Sequence, residues 1–198
     1  MTVSEKPVFT LIAGINGAGK TSLYHILKTE DGLGERINID EIVKTLGGWR
    51  DPEAQVRAGK TALKRVEECI AGRTSFHMES TLPGMTVLRQ IRKAKENGFS
   101  IRLYFIGVDD IETAITRVHK RMSMGGHGVS DAFIRKRFHR LLPNLRQIIP
   151  YADFSIFYDN TVRLRQIALF IGTHMIDCDR DLPNWFIDLI DDLPTSED

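Results

Sequence analysis

Short, unbroken apolar runs alternate along this chain with stretches in which apolar residues recur every three or four positions. Residues 8–14, VFTLIAG, form the first run; it is continuous and closed by glycine, as a strand buried on both faces would be. Residues 21–28 then read as a helix with Leu23, Ile26 and Leu27 on one side, and RINID (36–40) as a second strand. Asp51 and Pro52 suit an N-cap and first helical position, opening a long helix on which Val56, Leu63, Val66 and Ile70 recur until Gly72 closes it. SFHMES (75–80) reads as a third strand, residues 84–98 as a helix stopped at Gly98, and IRLYFIGV (101–108) as a fourth strand. Helical patterns follow at 110–122 and 131–149, separated by SMGGHGVS; FSIFYD (154–159) is a further strand. Residues 163–178 suit a hairpin and PNWFIDLI a terminal helix.

Strands alternating with helices imply an α/β fold with a mainly parallel central sheet and helices on both faces. Ligands of such sheets sit beyond the carboxyl ends of the strands. That rule selects Gly14 to Thr21, Asn38 to Asp40, Glu79 to Thr81 and the loop after Val108 as the residues to weigh.

Composition narrows the picture little. The 198 residues suit a single domain over 1–198, with 42% hydrophobic and 27% charged residues and a formal net charge of +1. The charge is unevenly spread: seven Lys or Arg face one acid between Arg117 and Arg140, and eight acids follow from Asp177 onward. Cys69 and Cys178 sit in no C-x-x-C pair, so free thiols are expected. The N-terminal stretch does not have the form of a secretory signal, and no run reaches the ~18 apolar residues of a membrane span, so a cytoplasmic location is expected.

The chemistry starts at AGINGAGKTS (13–22), which fits G-x-x-x-x-G-K-[ST] between an apolar strand and a helix. Successive N–H groups of such a turn form an anion nest, and the following helix adds the positive end of its dipole. The expected nucleotide-binding residues are Gly14, Ile15, Asn16, Gly17, Ala18, Gly19, Lys20, Thr21 and Ser22. Gly17 and Gly19 let the backbone approach closely, Lys20 reaches the outer phosphates, and the Thr21 hydroxyl is the expected Mg²⁺ ligand. At the second strand end Asp40 can take a proton from an acceptor hydroxyl or organise water around Mg²⁺; it can equally cap a helix beginning at Glu41. Asn38 cannot ionise. Glu79 and Thr81, two apart, share one side of the third strand end and can hold an acceptor's hydroxyls, whereas His77 reads as structural. Arg117 and Arg121 share a helix face beside a glycine-rich lid at about 117–130, where cations could close over a transferring phosphoryl group. Arg135, Lys136, Arg137 and Arg140 read as a solvated face, and His127 stays open.

Together AGINGAGKTSL, FHMESTLPG, GFSIRLYFIGV and the arginine helix with GGHGVS…FIRKRF resemble the zeta-toxin family of P-loop kinases, over roughly residues 8–160. The resemblance implies a three-layer P-loop kinase fold with a helical lid, ATP and Mg²⁺ as cofactors, and an antitoxin protein as partner. It implies transfer of the γ-phosphate of ATP to UDP-N-acetylglucosamine or a related UDP-sugar, with Lys20, Arg117, Arg121 and an aspartate as the catalytic set. Lys20 and Thr21 match the family's nucleotide and metal residues, Glu79 and Thr81 its Glu-x-Thr, and Arg117 an arginine near the phosphate. Two positions depart: Asn38 stands where the family has its catalytic aspartate, leaving Asp40 as the candidate base, and Pro83 stands where the family has an arginine. Kinases of another small hydroxyl acceptor, or a nucleotide-dependent switch, are the alternatives. A nucleic-acid partner is not expected, since the basic segment is accounted for by a phosphate site. The C-terminal extension, about 161–198, carries no motif.

Overall fold

The computed structural model describes residues 6–28, 32–49, 51–126, 128–191 and 193. Its elements in chain order are β1 (Val8–Gly14), α1 (Lys20–Leu27), β2 (Glu35–Ile37), α2 (Ile39–Leu46), α3 (Pro52–Ala71), β3 (Phe76–Ser80) and α4 (Thr86–Glu96). There follow β4 (Ser100–Gly107), α5 (Ile111–Ser123), α6 (Asp131–Ile148), β5 (Phe154–Asp159), β6 (Arg165–Ile171), β7 (His174–Cys178) and α7 (Asn184–Asp191). One seven-stranded sheet of order β2-β3-β1-β4-β5-β6-β7 unites them; β1 to β5 pair in parallel, and β6 and β7 add antiparallel.

The order explains where a ligand can sit. From β1 the chain leaves through α1 toward β2 on one side, while from β3 it leaves through α4 and crosses to β4 on the other. The diverging connections open a crevice over the carboxyl ends of β1 and β3. The β1–β3 register sets Glu79 level with Ile12, two residues short of the phosphate loop. β1 is buried from Phe9 to Gly14 without alternation, as a central parallel strand covered on both faces must be. Around it lies an aromatic core in which Phe9 stacks on Phe76 at 4.4 Å and Phe157 contacts Phe105, Phe170 and Phe186.

Three expectations are corrected. The second strand stops at Ile37, and the helix expected from Glu41 begins at Ile39, so Asp40 lies in its first turn and Asn38 is its cap. On α3 the buried stripe is Ala54, Ala58, Ala62, Val66, Cys69 and Ile70, whereas Val56 and Leu63 are 59% and 40% exposed. Small side chains allow close packing there, and a hydropathy pattern that weighs valine above alanine picks the wrong face. On α1, likewise, Tyr24 is buried in place of Ile26. Cys69 is a buried free thiol of α3, and Cys178 an exposed one on the edge strand β7.

Candidate functional site

The phosphate loop fills the turn between β1 and α1. Gly17 has φ +85° and Gly19 φ +107°; a Cβ on the first would lie 2.3 Å from the Ala114 carbonyl oxygen of α5, and on the second 2.6 Å from Asn160 Nδ2. Helix α1 begins without a side-chain cap, leaving its first N–H groups for an anion. Lys20 Nζ folds over the loop and donates to the carbonyls of Gly14 and Ile15, both at 3.0 Å. Ile15 and Ala18 are fully buried beneath it, while Thr21 and Ser22 are exposed on α1.

Burial lowers the Lys20 amine from 10.5 to about 8. Glu79 and Asp40 act against that effect, while Arg121 and Arg137 reinforce it. Charged side chains from four other elements, α2, β3, α5 and α6, thus act on the Lys20 amine over the loop. Arg137 was expected on a solvated face; it is instead half-buried, its guanidinium 3.9 Å over the Phe133 ring and Nη1 donating to Asn16 Oδ1 of the phosphate loop at 3.2 Å. Its neighbours Arg135, Lys136 and Arg140 are exposed, and Arg135 pairs with Glu112 at 2.5 Å. Helical spacing alone separates these residues, but only docking of α6 tells which one faces inward.

Arg117 is placed differently from Arg121. Its Nη1 donates to the Asn160 carbonyl at 2.6 Å and its Nη2 to the Thr161 carbonyl at 3.0 Å. Asn160 Nδ2 in turn donates to the Ala18 carbonyl at 2.7 Å, so the loop after β5 is latched onto the phosphate loop. Asn160 and Thr161 follow a strand's carboxyl end, the very signal that selects the other loops, and the sequence reading passed over them.

At the second and third strand ends the polar groups form one network. Asn38 Oδ1 accepts from the N–H groups of Asp40 and Glu41 at 2.8 and 3.3 Å, while its Nδ2 donates to Glu79 Oε1 at 3.0 Å. Arg36 Nη2 lies 3.1 Å from the same oxygen. Thr21 Oγ1 donates to Glu79 Oε2 at 3.4 Å. Thr81 is 9% exposed in the loop after β3. There Leu82, fully buried, has φ +48°, held by Asn144 Nδ2 donating to its carbonyl at 2.7 Å. A branched side chain in that conformation stores strain of about 1–3 kcal/mol. His77 Nδ1 contacts the Leu33 carbonyl at 3.1 Å and its ring stacks on Tyr24, as a structural histidine would. His127 lies outside the described residues.

A hydroxyl and a carboxylate oxygen side by side suit a magnesium ion delivered with nucleotide phosphates, which uses one or two protein oxygens. Among the described residues no group of three His, Cys, Asp or Glu forms a self-sufficient cage. A cavity of about 510 Å³ opens between α6 and α7 behind Ile15, walled by Phe105, Phe138 and Trp185; neither Lys20 nor Glu79 lines it. Among the described residues no helix is long and apolar enough to cross a membrane.

No family model matches the chain. It is 30% identical over 136 residues to an uncharacterised protein of Haemophilus influenzae, an alignment taking in 69% of this chain and 94% of that protein. A chain of the PezAT chromosomal toxin–antitoxin system of Streptococcus pneumoniae has a TM-score of 0.63 at 18% identity, covering 82% of this chain and 71% of that one. A chain of the AvrRxo1-ORF1:-ORF2 complex with ATP has 0.65 at 17% identity, covering 98% of this chain and 66% of that one. A chain of the Pnkp1/Rnl/Hen1 RNA repair complex has 0.60 at 18%, covering 74% of this chain and 47% of that one. At these identities the shared property is the fold. The resemblance to zeta toxins read from the motifs extends to that fold.

Proposed function

We propose that this chain, which belongs to the same family as the Haemophilus influenzae protein, is an ATP-dependent kinase, on the geometry of its phosphate loop. The acceptor in this reading is a hydroxyl of UDP-N-acetylglucosamine or a related UDP-sugar, and the protein is the toxin of a toxin–antitoxin pair. The observation that carries the kinase reading is the glycine loop itself, with Lys20 Nζ folded over it, Arg137 bonded to its Asn16 and the Thr21 hydroxyl donating to Glu79. The PezAT neighbour's system supports the toxin reading and, with it, a protein partner.

The loop N–H groups and Lys20 hold the outer phosphates. Arg121 and Arg137 neutralise charge that spreads over the equatorial oxygens during transfer. Asp40 receives the acceptor's hydroxyl proton as the new O–P bond forms and the bond to ADP breaks. Glu79, Thr81 and Asn38 orient the acceptor. Thr21, with Glu79 beside it, would hold a magnesium ion, which would supply further charge neutralisation to the phosphates. Arg117, tied to the Asn160 and Thr161 carbonyls, holds the loop after β5 against the phosphate loop.

A second reading, a kinase of another small hydroxyl acceptor, is favoured by two positions. Asn38 is committed to capping α2 and to Glu79, and Pro83 stands where the resemblance would place an arginine. One assay separates the two: ADP release with ATP, Mg²⁺ and a panel of UDP-sugars, nucleosides and antibiotics. Stimulation by a UDP-sugar supports the first reading; stimulation by another compound alone supports the second; none at all removes both. Lys20→Ala should abolish turnover, and Arg137→Ala should lower kcat by about 10³-fold, the scale of a phosphate-stabilising arginine, with Lys136→Ala near wild type. Harmless induced expression in the absence of any partner would refute the toxin role and leave the kinase standing.

A further inference from the structure

Arg36 is outside every phosphate-binding motif, yet its side chain reaches the site from three directions. It leaves β2 one residue before the strand ends, and its guanidinium carbon lies 3.9 Å from the centroid of the Tyr24 ring. Tyr24 stacks in turn on His77 at 5.3 Å, with the rings 17° apart. Nη1 lies 2.6 Å from Glu41 Oε1 and Nη2 3.1 Å from Glu79 Oε1. Asn38 Nδ2 donates to that same Glu79 oxygen, so the oxygen facing Thr21 is Oε2.

A planar guanidinium can stack through its face while its edge pairs with two carboxylates; an ammonium cannot do both. Two donors on one oxygen set the rotation of the carboxylate about its last bond. Without Arg36, Oε1 of Glu79, whose side chain is 11% exposed, would keep a single donor, the Asn38 amide.

We propose that Arg36 is a positioning residue that holds the Glu79 carboxylate with Oε2 turned to the Thr21 hydroxyl, on the side where a nucleotide-borne magnesium ion would lie. The proposal rests on the nucleotide-binding part of the reading above and on no particular acceptor.

Calorimetric titration of ATP into the full-length protein, in Mg²⁺ and in EDTA, reads it directly. Arg36→Met should reduce the Mg²⁺-dependent gain in ATP affinity by about tenfold, the usual loss when an outer partner of a metal site is removed, and change affinity in EDTA by under about twofold. Glu79→Gln should do the same, and the double variant should be no worse than the worse single one. Arg36→Lys, which keeps the charge and loses the fork, should fall between wild type and Arg36→Met; it also serves if Arg36→Met does not fold. Additive losses in the double variant, a wild-type response to Mg²⁺ in Arg36→Met or Arg36→Lys, or no Mg²⁺ effect in wild type would each overturn the proposal. If Mg²⁺ and ATP bind as expected but no acceptor stimulates ADP release, the kinase reading fails and the clamp stands.

Discussion

Lys20 is held where its charge is costly unless phosphate is present. Its amine titrates at about 8 in the folded chain against 10.5 for an ordinary lysine, with burial as the largest cause. The unfolded state therefore binds more protons between those two values, and this group's contribution to stability rises as pH increases from about 8 to 10.5. Phosphate reverses the balance, since a bound anion favours the ammonium. ATP binding near pH 8.5 should therefore take up a proton, and affinity should fall as pH rises further. Calorimetry in buffers of different ionisation enthalpy measures that uptake; a buffer-independent heat would refute it. Asn38 shows the complementary case of a polar group whose oxygen and one amide hydrogen are already engaged. Its oxygen caps α2 and its amide serves Glu79, so an aspartate there would set a carboxylate against a carboxylate.

Helix α5 is coupled to the phosphate loop by contact at Gly17. The nearest atom a Cβ would meet is a backbone oxygen of α5, which cannot rotate away, and φ is already +85°. Gly17→Ala must displace either the loop or α5, and with α5 the arginines Arg117 and Arg121. A penalty of about 1–3 kcal/mol at such a position predicts a loss in ATP affinity of about 5- to 150-fold. Gly48, at φ +92° with nothing within 4 Å, supplies the control, because Ala there meets backbone strain without a clash. Equal ATP affinity in Gly17→Ala and Gly48→Ala would show that the coupling is absent.

Across the whole molecule, the described elements after Asn160 join the sheet and its core. β6 and β7 extend the sheet, and α7 buries Trp185, Phe186 and Leu189. Trp185 packs 5.3 Å from Phe105, its indole N–H donates to Asp159 Oδ1 at 3.2 Å, and its backbone N–H to Asp109 Oδ1 at 3.0 Å. Asp159 also accepts from the Thr161 hydroxyl at 2.7 Å, which links α7 to the loop that Arg117 holds. Trp185→Ala should destabilise the protein by about 3–5 kcal/mol, seen as a lower denaturation midpoint. A loss below about 1 kcal/mol would mean that α7 is not part of the cooperative unit.

The glycine-rich turn between β1 and α1 and the order of strands and helices were legible in the chain itself, as was the position of Lys20, Thr21, Asp40, Glu79 and Thr81 near strand ends. Each depends on local chemistry: glycines where backbone must approach an anion, apolar runs where strands are buried, acids where strands end. Three matters were not legible there. The buried face of α3 follows alanines, because its neighbours come close; the true cap of α2 is Asn38, because the strand stops early at Ile37. Arg36 and Arg137 join the site while Arg135 and Lys136 stay in solvent, because docking of β2 and α6 against the sheet decides which side chain faces the crevice. Local sequence determines which groups are available and how the chain is punctuated. Which long, flexible cations reach Glu79 and the phosphate loop depends on contacts between residues as far apart as 43 and 121 positions, and only the tertiary structure brings those together.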